Sequence, residues 1–129
     1  MVDEPRLGLL TGIRVLLVED HADTREILNQ VLAHEGALVT AAASAREAIG
    51  QVALVDIVVT DVAMPGESGV WLSGQVVRSP RRVPIIAVTG FADDAEVVTA
   101  PFARVLRKPV DPWQLCTEIR DVLGRRRGD

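Results

Sequence analysis

Glu19, Asp20, Asp61, Thr89 and Lys108 are the residues of this 129-residue chain whose types and placement could do chemistry together. Each stands at or just past the end of a short apolar run. Taken singly, each has an ordinary explanation. An Asp at the end of a strand usually caps a helix or makes a turn, a Thr is a good β-former, and a lone Lys is a solvated charge. Three carboxylates, a hydroxyl and an ammonium at successive strand ends need a joint explanation. Like unit charges ~4 Å apart repel by about 4 kcal/mol at an effective dielectric of about 20, so three converging carboxylates call for a cation. Their hard oxygens suit Mg²⁺, which keeps several waters and takes one or two carboxylates plus a phosphate oxygen. A carboxylate beside such an ion can attack phosphorus. Lys then serves as a point charge, and Thr as a hydrogen-bond donor, to the phosphoryl oxygens. The set reads as Mg²⁺-assisted phosphorylation of an Asp.

These residues converge only if the elements before them run side by side. Ile13–Val18 is a continuous apolar run, as expected of a strand covered on both faces. Ala37–Ala42, Ile57–Asp61, Val83–Thr89 and Arg104–Arg107 follow as strands two to five. Helical patterns lie between them. Residues 22–35 place Ile27, Leu28, Val31 and Leu32 on one face, with Gly36 as the stop. Ser44, with Glu47 three residues on, is a capping box for a short second helix. Residues 68–78 predict a third helix after the MPGESG turn, 92–100 a short fourth ending at Pro101, and 111–124 a fifth ending at Gly124. Five strands alternating with five helices predict a doubly wound α/β fold with a parallel sheet and helices on both faces. Ligands of such sheets bind beyond the C-terminal strand ends, where the five residues lie.

The composition narrows the classes further. At 48% hydrophobic and 25% charged, the chain is ordinary globular protein, which excludes disorder, collagen and coiled coil. The net charge of −4 argues against a nucleic-acid-binding domain. Cys116 is the sole cysteine, which excludes an internal disulfide and fits a buried small hydrophobe. No run reaches the ~18 apolar residues of a membrane span, and the start of the chain lacks a signal-peptide pattern. A cytoplasmic protein is expected. Residues 1–11 are expected to be a flexible leader, 12–124 the folded domain, and 125–129 a tail or the start of a linker.

The motifs resemble the receiver domain of two-component response regulators. VLLVEDHADTRE is similar to that family's first strand and acidic pair. IVVTDVAMPGESG carries its Asp-x-x-Met-Pro-x-x-x-Gly spacing in Asp61, Met64, Pro65 and Gly69; VPIIAVTG and VLRKP supply the hydroxyl and the Lys-Pro. The resemblance implies a flavodoxin-like sheet of order 2-1-3-4-5 and Asp61 as phosphoacceptor. It implies Glu19, Asp20, Asp61 and the backbone carbonyl of Ala63 as Mg²⁺ ligands, Thr89 and Lys108 on the phosphoryl group, and a cis Lys108-Pro109 bond. It further implies a signalling module rather than an enzyme, catalysing only its own phosphorylation and dephosphorylation. Its phosphodonor would be a histidine kinase or histidine phosphotransfer protein. A downstream protein would meet the face between the fourth and fifth helices, and a homodimer is compatible with the family.

Several features depart from the pattern or qualify it. The family commonly has an aromatic switch residue three positions before the Lys, where this chain has Val105. The interval from Thr89 to Lys108 is short, and Glu19 stands where Asp is usual. Phe91 and Phe102 are candidate substitute levers. Ala63 and Phe91 occupy the two positions that flank the path of the hydrolytic water, and neither is polar, so a long-lived phosphoryl-Asp61 is expected, the more so if Phe91 covers the site. Trp113 either faces a partner or covers the edge of the core; Trp71 is expected to pack its helix on the sheet, and His21 and His34 to be surface residues. Two other functions stand beside the main one. A pseudo-receiver would bind partners without phosphorylation, but the site keeps all five groups. A Mg²⁺-dependent Asp-nucleophile phosphatase of the haloacid-dehalogenase type would need a second Asp two residues on, where this chain has Ala63, and no Gly-rich phosphate loop supports a nucleotide enzyme.

Overall fold

The chain was analysed as a computed structural model, which describes residues 8–126. β1 (Arg14–Val18), β2 (Leu38–Ala42), β3 (Ile57–Asp61), β4 (Ile85–Thr89) and β5 (Arg104–Arg107) form one all-parallel sheet in the order β2-β1-β3-β4-β5. The helices α1 (Ala22–His34), α2 (Ala45–Ile49), α3 (Gly69–Arg78), α4 (Ala95–Thr99) and α5 (Pro112–Arg126) connect and follow the strands. This is the doubly wound, flavodoxin-like arrangement expected from the sequence. The unbroken apolar runs have a simple cause. Successive side chains point to opposite faces of a strand, and here both faces are covered. Val15, Leu17, Ile57 and Val59 pack under α1 and α5, against Leu28, Leu32, Leu115 and Ile119. Leu16, Val18, Val58 and Ile85 pack on the other side, against Ala45, Ala48, Leu72 and Val76 of α2 and α3. The Ala-rich inner face of α2 lets that short helix sit close to the sheet.

The local signals for helix ends are realised in hydrogen bonds. Ser44 Oγ accepts from the Glu47 amide at 3.1 Å, and Glu47 Oε2 accepts from the Ala43 amide at 3.2 Å. Gly36, at φ +96°, ends α1 in a Schellman motif: its amide donates to the Ala33 carbonyl at 3.0 Å, and the Ala37 amide donates to the Leu32 carbonyl at 3.1 Å. Pro112 opens α5, where its missing N–H costs nothing, and Asp111 Oδ1 caps the helix by accepting from the Trp113 amide at 2.9 Å.

Three expectations are corrected. Residues 8–11 are not a loose leader: Leu10 is fully buried beneath α1 and α5, and its amide donates to the Glu35 carbonyl at 2.9 Å. Gly124 does not end α5, which runs on to Arg126, so part of the expected tail is helix; residues 1–7 and 127–129 lie outside the described residues. Ile27 does not join the core with Leu28 and Leu32, because it sits at the margin of α1 above a cavity and is 56% exposed. The fourth helix is short, as expected, and covers Ala95–Thr99 of the expected 92–100, with Ala100 extended before Pro101.

Candidate functional site

The C-terminal rim of the sheet gathers the singled-out residues. Glu19 continues β1; its amide donates to the Ala42 carbonyl at 3.0 Å, which keeps β1 and β2 together to the rim. Its carboxylate is buried, and Oε2 accepts from the His21 amide at 3.1 Å. Asp20 is half-buried beside it. Asp61 ends β3, paired across the sheet with Val88, and is buried. Glu19, Asp20 and Asp61 each bring a carboxylate oxygen within 4.8 Å of the others. Lys108 arrives from β5, its amide donating to the Thr89 carbonyl at 2.9 Å. Its Nζ donates to Asp61 Oδ2 at 2.9 Å and lies 4.0 Å from Glu19 Oε1. The Lys108-Pro109 bond is cis, as the resemblance implies.

The electrostatics follow from this crowding. Burial raises the pKa of Glu19, and the charge of Asp61 adds to the rise, while the His21 amide and Lys108 only partly oppose it. Burial alone would lower the pKa of Lys108, but its hydrogen bond and charge interaction with Asp61, joined by the charges of Glu19 and Asp20, raise it. One ammonium cannot balance three carboxylates. The donor set of three hard oxygens with excess negative charge fits a hard divalent cation such as Mg²⁺.

The loop after Asp61 is held tightly. Val62 turns inward, Ala63 is exposed, and Gly66 adopts φ +79°. Gly69 returns the chain to the site: its amide donates to the Val62 carbonyl at 2.9 Å, and a Cβ there would lie 2.5 Å from the Asp61 carbonyl oxygen. Ser68 Oγ caps α3 by accepting from the Trp71 amide at 3.2 Å. On the other flank Thr89 is buried, and its Oγ1 accepts from the Phe91 amide at 2.9 Å. The Phe91 ring is 61% exposed, so it does not cover the site. Phe102 instead packs with Val62, Val97 and Val105. Trp71 packs its helix on the sheet as expected, with Arg46 5.3 Å above its ring. Trp113 is half exposed and meets the edge of His34 at 6.0 Å.

Two features were not anticipated from the sequence. A cavity of about 440 Å³ opens beside the carboxylates, lined by Ile27, Leu28, Asp61, Lys108, Pro109 and Val110 among others. Arg25 of α1 lies behind the acidic pair, its Nη1 donating to the Glu19 carbonyl at 2.8 Å and lying 3.5 Å from the Asp20 carbonyl. A signal existed for Arg25. A cation in the opening turn of a helix opposes the helix dipole, which points to a partner outside the helix.

Residues 15–120 match the family model of the response regulator receiver domain. The chain belongs to that family. The receiver is 39% identical over 113 residues to an uncharacterized 14.6 kDa protein encoded in the sodA1 3′ region of Leptolyngbya boryana, covering 82% of this chain and 86% of that one. It is 29% identical to the transcriptional regulatory protein ResD of Bacillus subtilis, covering 87% of this chain and 48% of ResD, so it spans about half of that regulator. Among solved structures, a CheY-like response regulator receiver domain protein from Methanospirillum hungatei superposes with a TM-score of 0.81 at 26% identity, over 95% of this chain and 98% of that one. The receiver domain of the sensor histidine kinase PA1611 from Pseudomonas aeruginosa, solved with a magnesium ion coordinated in its active-site cleft, superposes with a TM-score of 0.81 at 25% identity, over 88% of this chain and 99% of that one. Among the described residues of the receiver, no helix is long and apolar enough to cross a membrane.

Proposed function

We propose that this receiver takes a phosphoryl group onto Asp61 from a histidine kinase or histidine phosphotransfer protein and thereby switches its binding to a downstream protein. The observation that carries this reading is the meeting of Glu19, Asp20 and Asp61 within 4.8 Å, with Lys108 Nζ 2.9 Å from Asp61 Oδ2. A carboxylate oxygen of Asp61 forms the bond to phosphorus as the donor's phosphorus–nitrogen bond breaks, and the donor's imidazole departs with that bond's electron pair. Lys108, already on Asp61, needs only a small movement to reach a phosphoryl oxygen. Thr89 keeps its hydroxyl hydrogen to donate, because its bond to the Phe91 amide uses a lone pair. Glu19, Asp20, Asp61 and the Ala63 carbonyl would hold Mg²⁺, which supplies positive charge against the carboxylates and the phosphoryl oxygens. The magnesium in the cleft of the PA1611 receiver supports that choice of ion.

The downstream partner meets the face of α4, β5 and α5, where Val98 is 66% exposed among ion pairs of Arg107 with Asp93 and Arg104 with Glu118. A second copy of the receiver is an alternative occupant of that face. The folded unit is residues 12–124 extended back to the Leu10 anchor and on to the end of α5 at Arg126, and its compartment is the cytoplasm. Acetyl phosphate with Mg²⁺ should label Asp61, and Asp61→Asn should abolish the label. Unchanged labelling of Asp61→Asn would overturn the assignment, and an unlabelled wild type would favour a pseudo-receiver.

A further inference from the structure

We propose that Arg25 is a positioning residue for the divalent cation, fixing the peptide that carries Glu19 and Asp20 and so setting how tightly the ion binds; this rests on the reading that these acids hold Mg²⁺. The Glu19–Asp20 segment lies between the end of β1 and the start of α1 and carries two of the three carboxylates. The Glu19 carboxylate accepts from the His21 amide at 3.1 Å, and the backbone of the segment is held at two further points. The Glu19 amide is tied to Ala42 of β2, and Arg25 Nη1 donates to the Glu19 carbonyl at 2.8 Å, with the Asp20 carbonyl 3.5 Å away. Arg25 is half-buried and rooted in α1, its amide donating to the His21 carbonyl at 2.9 Å. One guanidinium beside two successive carbonyls restricts rotation of the peptide between them, and with it the directions in which both carboxylates project. Among the described residues, no carboxylate forms an ion pair with Arg25. The guanidinium therefore spends its hydrogen bonds on the backbone that presents the acids.

The charge of Arg25 makes the idea testable. A positive charge beside a cation site weakens cation binding by Coulomb repulsion. If charge were its whole effect, Arg25→Ala would tighten Mg²⁺ binding. Positioning has the opposite sign. Groups that orient metal ligands typically account for 10–100-fold in metal affinity, and a backbone-directed contact belongs at the lower end, about tenfold.

Mg²⁺ is titrated calorimetrically into the wild type, Arg25→Ala and Arg25→Lys at neutral pH. Arg25→Ala should bind Mg²⁺ about tenfold more weakly, and Arg25→Lys, which keeps the charge but reaches one bond less far toward the two carbonyls that Nη1 meets, should fall roughly midway between it and the wild type. In the metal-free proteins, amide hydrogen exchange at residues 19–21 should quicken in Arg25→Ala while the interior of β1 stays protected. At saturating Mg²⁺, acetyl phosphate labelling should return to the wild-type rate, which a general structural defect would prevent. Unchanged or tighter Mg²⁺ binding by Arg25→Ala overturns the proposal. Should that variant unfold, Arg25→Lys decides, and wild-type affinity there overturns it. A wild type that binds no Mg²⁺ overturns the metal reading itself and this proposal with it.

Discussion

Ala63, two residues after Asp61, and Phe91, two residues after Thr89, fare differently in the fold. The Phe91 side chain is 61% exposed, while its backbone amide holds Thr89. A ring facing water shields nothing, so the expected long life of phosphoryl-Asp61 rests on the lack of a polar group at both positions and not on a shield. Ala63 is exposed at the start of the loop and has no polar group to orient an attacking water. Positioned acid–base help typically contributes 10²–10⁴-fold. Orientation by an amide belongs below that range, so Ala63→Asn should speed phosphate loss about tenfold, while Phe91→Ala should leave it unchanged. Following released phosphate after removal of the donor checks both arms; faster loss from Phe91→Ala would restore the shield. Cys116 is the opposite case, a reactive residue type without a role. Burial pushes its thiol up to about 11, so it stays protonated and inert in the core.

At the scale of elements, α3 is docked on the phosphoacceptor strand through a missing side chain. With a Cβ at Gly69 lying 2.5 Å from the Asp61 carbonyl oxygen, Gly69→Ala must push α3 or the 62–68 loop away. Overpacking of this kind costs about 1–3 kcal/mol. Thermal or urea unfolding should show that loss, and labelling by acetyl phosphate should slow because Ala63 moves with the loop. The 90–94 turn is the element expected to respond to phosphorylation. Val105 is a β-branched aliphatic with few rotamers and cannot swing as an aromatic would. Thr89 Oγ1 can grip the Phe91 amide and a phosphoryl oxygen at once, so a shift of Thr89 carries the turn along. Amide shifts on adding beryllofluoride and Mg²⁺ should therefore be largest at residues 89–94 apart from the site itself; a silent turn would refute this coupling.

Much of this organisation was legible because it is local. The Ser44–Glu47 box, the Gly36 stop and the acids at strand ends are signals spanning a few residues, and backbone hydrogen bonds realise them where the pattern put them. The cavity, Arg25 and the burial of Leu10 were not, since each depends on which distant element lies opposite. Leu10 has no periodic neighbours to mark it as core; only the end of α1, through Glu35, shows where it docks. Gly124 misled for a related reason: a glycine near the end of a helix stops it only when the chain turns there.

The whole molecule is braced at the pole opposite the site by a second charge cluster. Asp56, just before β3, accepts from the Arg14 amide at 2.8 Å and Arg14 Nη2 at 2.9 Å, and Arg81 Nη2 lies 3.4 Å away, tying the starts of β1 and β3 to the loop before β4. The Arg14 hydrogen bond is the main cause holding the Asp56 carboxyl below its ordinary value, with the charges of Arg14 and Arg81 helping against a burial cost. The sign is that of a depressed acid: its stabilisation is full above the unfolded pKa of about 3.8 and is lost as pH falls through the folded value. Asp56→Asn should therefore lower stability by roughly 1 kcal/mol at neutral pH and much less in acid, where the two proteins converge. Urea midpoints measured across the acid range check this; a constant gap would show that the loss is steric.

The anchor at Leu10 bears on how the receiver can be handled. The chain reaches Arg14 from the far side of the domain, with Leu9 and Leu10 fastened to Glu35, just past the end of α1. The thirteen residues of α1 separate that point from the acidic pair by about 20 Å. A dye or an affinity handle attached through the side chain at position 9, where Leu9 is exposed, therefore departs from the blind end of the domain and leaves the mouth around Asp61 clear.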